Sequence, residues 1–286
     1  MKKGICIKVA VAIFALFATG MTATAQGRYG GPQPLSFQKT SSKVSEGSVS
    51  AEISIQYPTG GEQKFQKAFH EVLQGRLNEM CSFVNDAAEE EWTPFECSSV
   101  KDLPSTAAQA YVDAGLAASR RLVAAMNEDN AGSSEVFTLD DCPALTLAFN
   151  TKKLYANYFF ASFENTGEVY LGGAHGTPIT DIYTISRDKG KLVTLEDIFP
   201  ASTHHKLKAI VFRNLKNKYG DDISFWDDAA SKLPEGLGVA LLQDGVLFQY
   251  GVYEICAYAY GAPSVKIPYS QLSSIMTAQA KRWIKN

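Results

Sequence analysis

The sequence predicts an α+β fold, a mostly antiparallel sheet with helices packed on it. Three observations predict it. Before Asp140, two stretches carry apolar residues at helical spacing: Phe65, Phe69, Val72, Leu73, Leu77 and Met80, then Tyr111, Ala114, Ala118, Leu122 and Ala125. After Asp140, short alternating runs are separated by turn signals, as hairpin-linked strands require. No regular strand-helix-strand rhythm runs through the chain, which argues against a parallel sheet.

Element by element, Ile53 to Tyr57 alternates and meets Pro58-Thr59-Gly60-Gly61, so it reads as a strand ending in a turn. The Phe65 stripe follows as a helix. Asp102 and Pro104 mark the start of a second helix, whose alanines predict close packing on a neighbour. Leu145, Leu147 and Phe149 form a strand, and Lys152-Lys153 is expected to turn it into a second strand from Leu154 to Phe163. Ile179 to Ser186 is a further strand, turned by Asp188-Lys189-Gly190 toward Leu192-Val193. Thr194 to Asp197 reads as a capping box with Asp in place of Glu. Leu207, Ile210, Val211 and Leu215 mark a third helix, capped by Ser202 or Thr203. Gly238 to Tyr250 reads as a hairpin about Asp244-Gly245. Val265 and Ile267 form a last strand, and Pro268 opens a closing helix through Leu272, Ile275 and Met276 toward Trp283.

The amino terminus reads as a secretory signal peptide. Lys2, Lys3 and Lys8 precede an apolar run from Val9 to Phe17, and Ala23-Thr24-Ala25 is a small-residue cleavage pattern. Cleavage after Ala25 places the mature chain in the periplasm or outside the cell. No later apolar run is long enough to span a bilayer, so no transmembrane segment is expected to be retained. The expected organisation is a signal peptide (1–25), a flexible leader (26–50) rich in Gly and Pro, a helix-rich region (51–139) and a strand-rich region (140–286).

The formal net charge of −3 argues against a nucleic-acid partner, as does the lack of a basic stripe. Four cysteines follow the expected cleavage site, and an even number in an exported chain suggests disulfides. The short loop favours Cys81 with Cys97, leaving Cys142 with Cys256; free buried thiols are the alternative. No Cys-x-x-Cys and no histidine cluster indicates a metal site, and no cofactor is implied. His70-Glu71 lacks the second histidine of a zinc-protease helix, since Gln74 stands there.

Two segments stand out. In Tyr170 to Gly176, three glycines in five residues (Gly172, Gly173 and Gly176) surround His175. The glycines permit a tight turn, and a histidine held among them could bind, act as a base or merely fix the loop. From Tyr250 to Tyr260 there are four tyrosines in eleven residues, with Glu254 among them. Tyrosine supplies rigid contact area and a hydroxyl, which suits a binding surface as well as a half-buried strand.

These segments occur in a recognisable order. An aromatic strand leads to Gly172-Gly173-Ala174-His175-Gly176, then Gly190-Lys191, Leu195 to Phe199, Phe248, Tyr253-Glu254-Ile255, Gly261 and Val265 to Tyr269. This order resembles the RsiV-like C-terminal domain, a domain largely of unknown function, over roughly 140–276. The part before it is similar to the accessory region of PdaC-type peptidoglycan deacetylases. In RsiV-type proteins the resemblance implies an extracellular module that binds lysozyme. No catalytic residue carries over. The expected function is therefore a noncatalytic envelope module for a cell-wall glycan such as peptidoglycan or for a wall-acting protein such as lysozyme. Its binding candidates are Gly172, Gly173, His175, Gly176, Tyr253, Glu254, Tyr258 and Tyr260. The alternative is an envelope hydrolase in which His175 and a carboxylate such as Glu254 act as acid and base.

Overall fold

Val49, Ala51, Ile53 and Ile55 alternate with Ser50, Glu52 and Ser54, so every second side chain faces a core. The computed structural model describes residues 34–86 and 91–285, and there this alternation builds the second strand of a six-stranded sheet. The expected signal peptide lies outside the described residues. The strands are β1 (Phe37–Glu46), β2 (Val49–Pro58), β3 (Leu145–Ala156), β4 (Phe160–Tyr170), β5 (Thr177–Ser186) and β6 (Lys191–Leu192), and their spatial order is their chain order. All neighbours are antiparallel except β2 and β3, which run parallel. A parallel pair needs a long crossover. Here α1 (Gln63–Asp86) and α2 (Leu103–Asp129) supply it.

Those two helices cover one face of the sheet. Phe65, Phe69, Leu73 and Leu77 of α1 share one core with Ile53, Phe149, Phe163 and Tyr183 of the strands. α2 approaches β2 closely, as its small residues predict: a Cβ added at Gly115 would lie 2.5 Å from Val49 Cγ1.

The opposite face carries a second, three-stranded antiparallel sheet: β7 (Val239–Leu241), β8 (Gly245–Gln249) and β9 (Ser264–Pro268). It shares a second core with Phe160 of β4 and with α3 (Leu195–Ile198), α4 (His204–Tyr219), α5 (Tyr269–Leu272) and α6 (Ala278–Trp283). The two sheets are joined by a closed ring of hydrogen bonds. Leu241 N–H donates to Thr184 Oγ1 (2.9 Å), and Ser162 Oγ donates to Leu241 O (2.6 Å). The two hydroxyls lie 2.8 Å apart. Since the Ser162 proton points at Leu241 O, Thr184 donates to Ser162, and each hydroxyl gives and takes one bond. All three residues are fully buried. Nearby, Ile182 N–H donates to Leu237 O at 2.6 Å, extending the junction along β5.

Several sequence expectations need correction. The leader expected to be flexible over 26–50 contains β1 and the start of β2; β1 is an edge strand, where polar residues on both faces are tolerated, so its sequence looks like a linker. β3 continues through Lys152-Lys153, and the turn comes at Asn157, whose Oδ1 accepts from the N–H groups of Phe159 and Phe160. The closing helix is two short pieces, α5 and α6, because Thr277 caps the second with a bond from Ala280 N–H. Neither Ser202 nor Thr203 caps α4 through its side chain; the Thr203 hydroxyl bonds Pro200 O and Ile275 O instead. α4 carries Lys206, Lys208, Arg213, Lys216 and Lys218 and no acid, but the helical period spreads them around the helix rather than along one stripe.

The four cysteines among the described residues are free thiols. Cys81 faces Ala107 O of α2, and burial pushes its thiol up to about 12. Cys97 turns toward Ser99 O, and Cys142 toward Ser119 O. Cys256 pairs with Phe225 in a lone bridge beside the second core, so neither expected pair forms. The sheet also crosses residue 140 unbroken, so the boundary expected there separates strands that share one sheet.

The ring makes a direct prediction. Thr184→Val keeps the shape but leaves Leu241 N–H buried and unpaired, so chemical denaturation should show a loss of about 1–3 kcal/mol. A change within experimental error would mean the ring contributes nothing.

Candidate functional site

β5 is covered on only one edge through most of its length. β6 pairs with it only at Ile185 and Ser186, and Leu237 reaches it at Ile182. The edge from Pro178 to Asp181 therefore opens into a cleft of about 690 Å³. Arg76 and Glu79 of α1 form one wall; Lys232, Glu235 to Gly238, Gln249 and Gly251 to Glu254 form the other. The junction between the two sheets sets the width of this cleft, because it positions the second wall against β5.

One wall is held by a polar chain that crosses the helix-facing side of the sheet. Thr151 Oγ1 donates to Asn165 Oδ1 (2.9 Å), and Asn165 Nδ2 donates to Asp181 Oδ2 (3.2 Å). Arg76 then donates twice to Asp181, from Nε (2.8 Å) and Nη2 (2.9 Å), and its Nη1 meets Glu79 at 2.6 Å. Partial burial alone would lower the Arg76 guanidinium, but its bonds to Asp181 and Glu79 outweigh that and hold it above the usual range.

The opposite wall turns on Glu254. Its carboxylate accepts from Gly251 N–H (2.6 Å) and Glu235 N–H (3.0 Å), fixing the loop on both sides. Burial raises its pKa, the neighbouring Glu235 adds to this, and the two backbone bonds only partly offset it. Tyr253, the residue before it, is the one non-glycine with positive φ among the described residues, at 62°. That conformation costs a β-carbon-bearing residue about 1–2 kcal/mol. The strain sets the Tyr253 ring half-exposed at the cleft.

The ring belongs to a ladder. Tyr253 lies 5.5 Å from Tyr258, and Tyr258 stacks on His175 at 4.0 Å and 25°. Gly176 O ties the loop to the ladder, accepting from Tyr258 Oη at 2.8 Å and facing His175 Nδ1 at 3.1 Å. A Cβ at Gly176 would meet the Glu168 carboxyl, an exposed side chain that would have to turn aside.

The structure thus brings together Gly176, His175, Tyr258, Tyr253 and Glu254 from segments far apart in sequence. Of these five, Tyr253 and Glu254 line the cleft, and the other three candidates stand apart from the cluster. Gly172 (φ 82°) packs over Pro143, Gly173 O accepts from Tyr170 Oη, and Tyr260 is exposed on a single 3-10 turn. Among the described residues, no hydrogen bond or ion pair joins His175 to Glu254, and no group of three or more His, Cys, Asp or Glu could hold a metal. Sequence reasoning missed Arg76, Glu79, Thr180, Asp181, Lys232 and Glu235. The one available signal was Asp181, a carboxylate in the middle of the apolar strand Ile179 to Ile185.

The second wall, with Tyr253 and Glu254, and Tyr258 beside it lie in a segment that comparison with known families recognises. Residues 196–270 match the family model of DUF3298, a protein of unknown function. The DUF3298 match runs from α3 into α5 and includes the whole second sheet. A solved member of the DUF3298 family from Bacteroides fragilis superposes with a TM-score of 0.56 at 15% identity, covering 87% of this chain and 95% of its own. That likeness shows a shared fold. A DUF3298 family protein from Pseudomonas aeruginosa gives a TM-score of 0.49 at 18% identity, covering 88% and 97%. Among curated proteins, the chain is 28% identical over 115 residues to the peptidoglycan-N-acetylmuramic acid deacetylase PdaC of Bacillus subtilis. The match takes in 38% of this chain and only 25% of that protein's length.

Removing the anchor of the α1 wall should loosen the cleft. Asp181→Ala leaves the partly buried Arg76 with Glu79 alone, and should cost about 2 kcal/mol by thermal or chemical denaturation. An unchanged stability would show that the Arg76 pair is not structural.

Proposed function

We propose that this chain is an exported, noncatalytic binding module of the cell envelope whose cleft recognises a cell-wall glycan. The observation that carries the reading is the aromatic ladder of His175, Tyr258 and Tyr253 standing beside a polar cleft. A pyranose ring presents an apolar C–H face and a rim of hydroxyls. The first suits the faces of tyrosine rings, and the second suits the amide and carboxyl groups of the cleft walls. The strain at Tyr253 supports the reading, since strained backbone tends to persist where it orients a functional group.

Further support comes from the signal-like amino terminus, from the resemblance to the RsiV-like domain and from the distant similarity to a peptidoglycan deacetylase. Among the described residues, no helix is long and apolar enough to cross a membrane, which suits a module released into the envelope. The hydrolase alternative finds less support: both oxygens of Glu254 already accept backbone bonds, and among the described residues no hydrogen bond or ion pair joins His175, stacked on Tyr258, to a carboxylate.

Cosedimentation with purified peptidoglycan and calorimetry with soluble glycan strands test the reading, with lysozyme as the protein ligand implied by the RsiV resemblance. Tyr253→Asn removes the ring while tolerating the left-handed backbone, and should weaken glycan binding about tenfold. Absence of binding to both glycan and lysozyme would overturn the proposal.

A further inference from the structure

We infer that the cleft also takes an extended peptide segment carrying a cationic group, laid along the open edge of β5. The inference rests on reading the cleft as a binding site and adds the chemistry of a second part of the ligand.

The backbone supplies the first argument. Ile182 N–H points away from β4, toward Leu237. In an antiparallel strand the outward direction recurs every second residue, so Thr180 N–H and C=O also face the open edge. Thr180 lines the cleft, and among the described residues no hydrogen bond reaches those two groups. Two residues further back, Pro178 has no N–H to offer, which ends the docking edge there. The available pattern is one donor and two acceptors, the carbonyls of Thr180 and Pro178, enough for two or three residues of an added strand. A sugar has no need of such an edge.

The facing wall supplies room. Gly236, Gly238 and Gly251 present no side chains to the cleft, and a Cβ at Gly236 would meet nothing within 4 Å.

Charge selects the occupant. Arg76 serves two carboxylates, Asp181 and Glu79, leaving that cluster with one negative charge. Lys232 is paired with Asp228, which lies outside the cleft lining, and donates also to Glu254 O. Glu235 and Glu254 add two carboxylates, and among the described residues no cation is salt-bridged to either. The cleft is therefore short of positive charge, and an ammonium or guanidinium on the incoming segment would supply it. The raised pKa of Glu254 agrees, because burial and the adjacent Glu235 both disfavour its charged form.

The test uses the full mature chain and fluorescence anisotropy with three synthetic peptides of equal length and extended sequence, bearing one Lys, one norleucine or one Glu at the same position. The Lys peptide should bind best. Glu235→Gln, whose side chain is exposed and bonded to nothing in the cleft, should weaken it about fivefold and leave the norleucine peptide unchanged. Acidification from about pH 7.5 to about pH 4.5 should weaken the Lys peptide as Glu254, whose carboxyl burial holds above its usual range, takes up its proton while Arg76 stays charged. Amide chemical-shift change should centre on Thr180. Equal affinity for the three peptides, or binding to none, overturns the inference. Soluble glycan lacking peptide separates the two readings. Glycan binding without peptide binding removes this inference alone, and Lys-selective peptide binding without glycan binding upholds it and removes the glycan reading.

Discussion

The cleft exists because Leu241, at the end of a three-residue strand, finds its backbone partners in two side chains. β7 is too short to pair with the first sheet along its length, yet its buried N–H and C=O must be satisfied. Ser162 and Thr184, opposite one another on β4 and β5, satisfy both while also bonding to each other. Each bond contributes modestly, but leaving any of the four groups unpaired in that core costs more than the bond is worth. The ring therefore fixes the distance between β5 and the segments that precede β7 and follow β8. The Ile182 to Leu237 bond extends the junction to the point where the chain parts from β5 and the cleft opens.

The two faces of the sheet divide the work. On the helix side, α1 and α2 bury the apolar alternation of β2 and β3, and the polar chain from Thr151 to Arg76 runs across β3, β4 and β5 to the cleft. On the other side, the second sheet brings Tyr253 and Tyr258 to meet His175, which comes from the β4–β5 turn. A ligand in the cleft would touch both layers, so its affinity depends on both cores being formed.

Much of the fold was legible because burial on one face imposes a period. The helices at Phe65 and Tyr111, the strand from Ile179 and the hairpin at Asp244-Gly245 all carry that period or its turn chemistry. β1 did not, because an edge strand buries little, and the Asn157 turn did not, because its signal is one side chain rather than a pattern. Of the site, the glycine-histidine loop and the tyrosines were visible from composition, and they do meet. Arg76 and Asp181 were not, since 105 residues separate them and only the packing of α1 over β5 makes them a pair. The cysteines misled because parity carries no geometry: the Cys81, Cys97 and Cys142 thiols turn toward three different backbone carbonyls, and Cys256 is buried beside the second core.

Native-state hydrogen exchange at the Ile182 and Leu241 amides reads the junction most directly. If the ring makes the two sheets one cooperative unit, both amides exchange only through global unfolding, with the same dependence on denaturant as the core of β4. Exchange of either amide through a smaller opening, while the β4 core stays protected, would show that the sheets part independently and that the cleft has no fixed second wall.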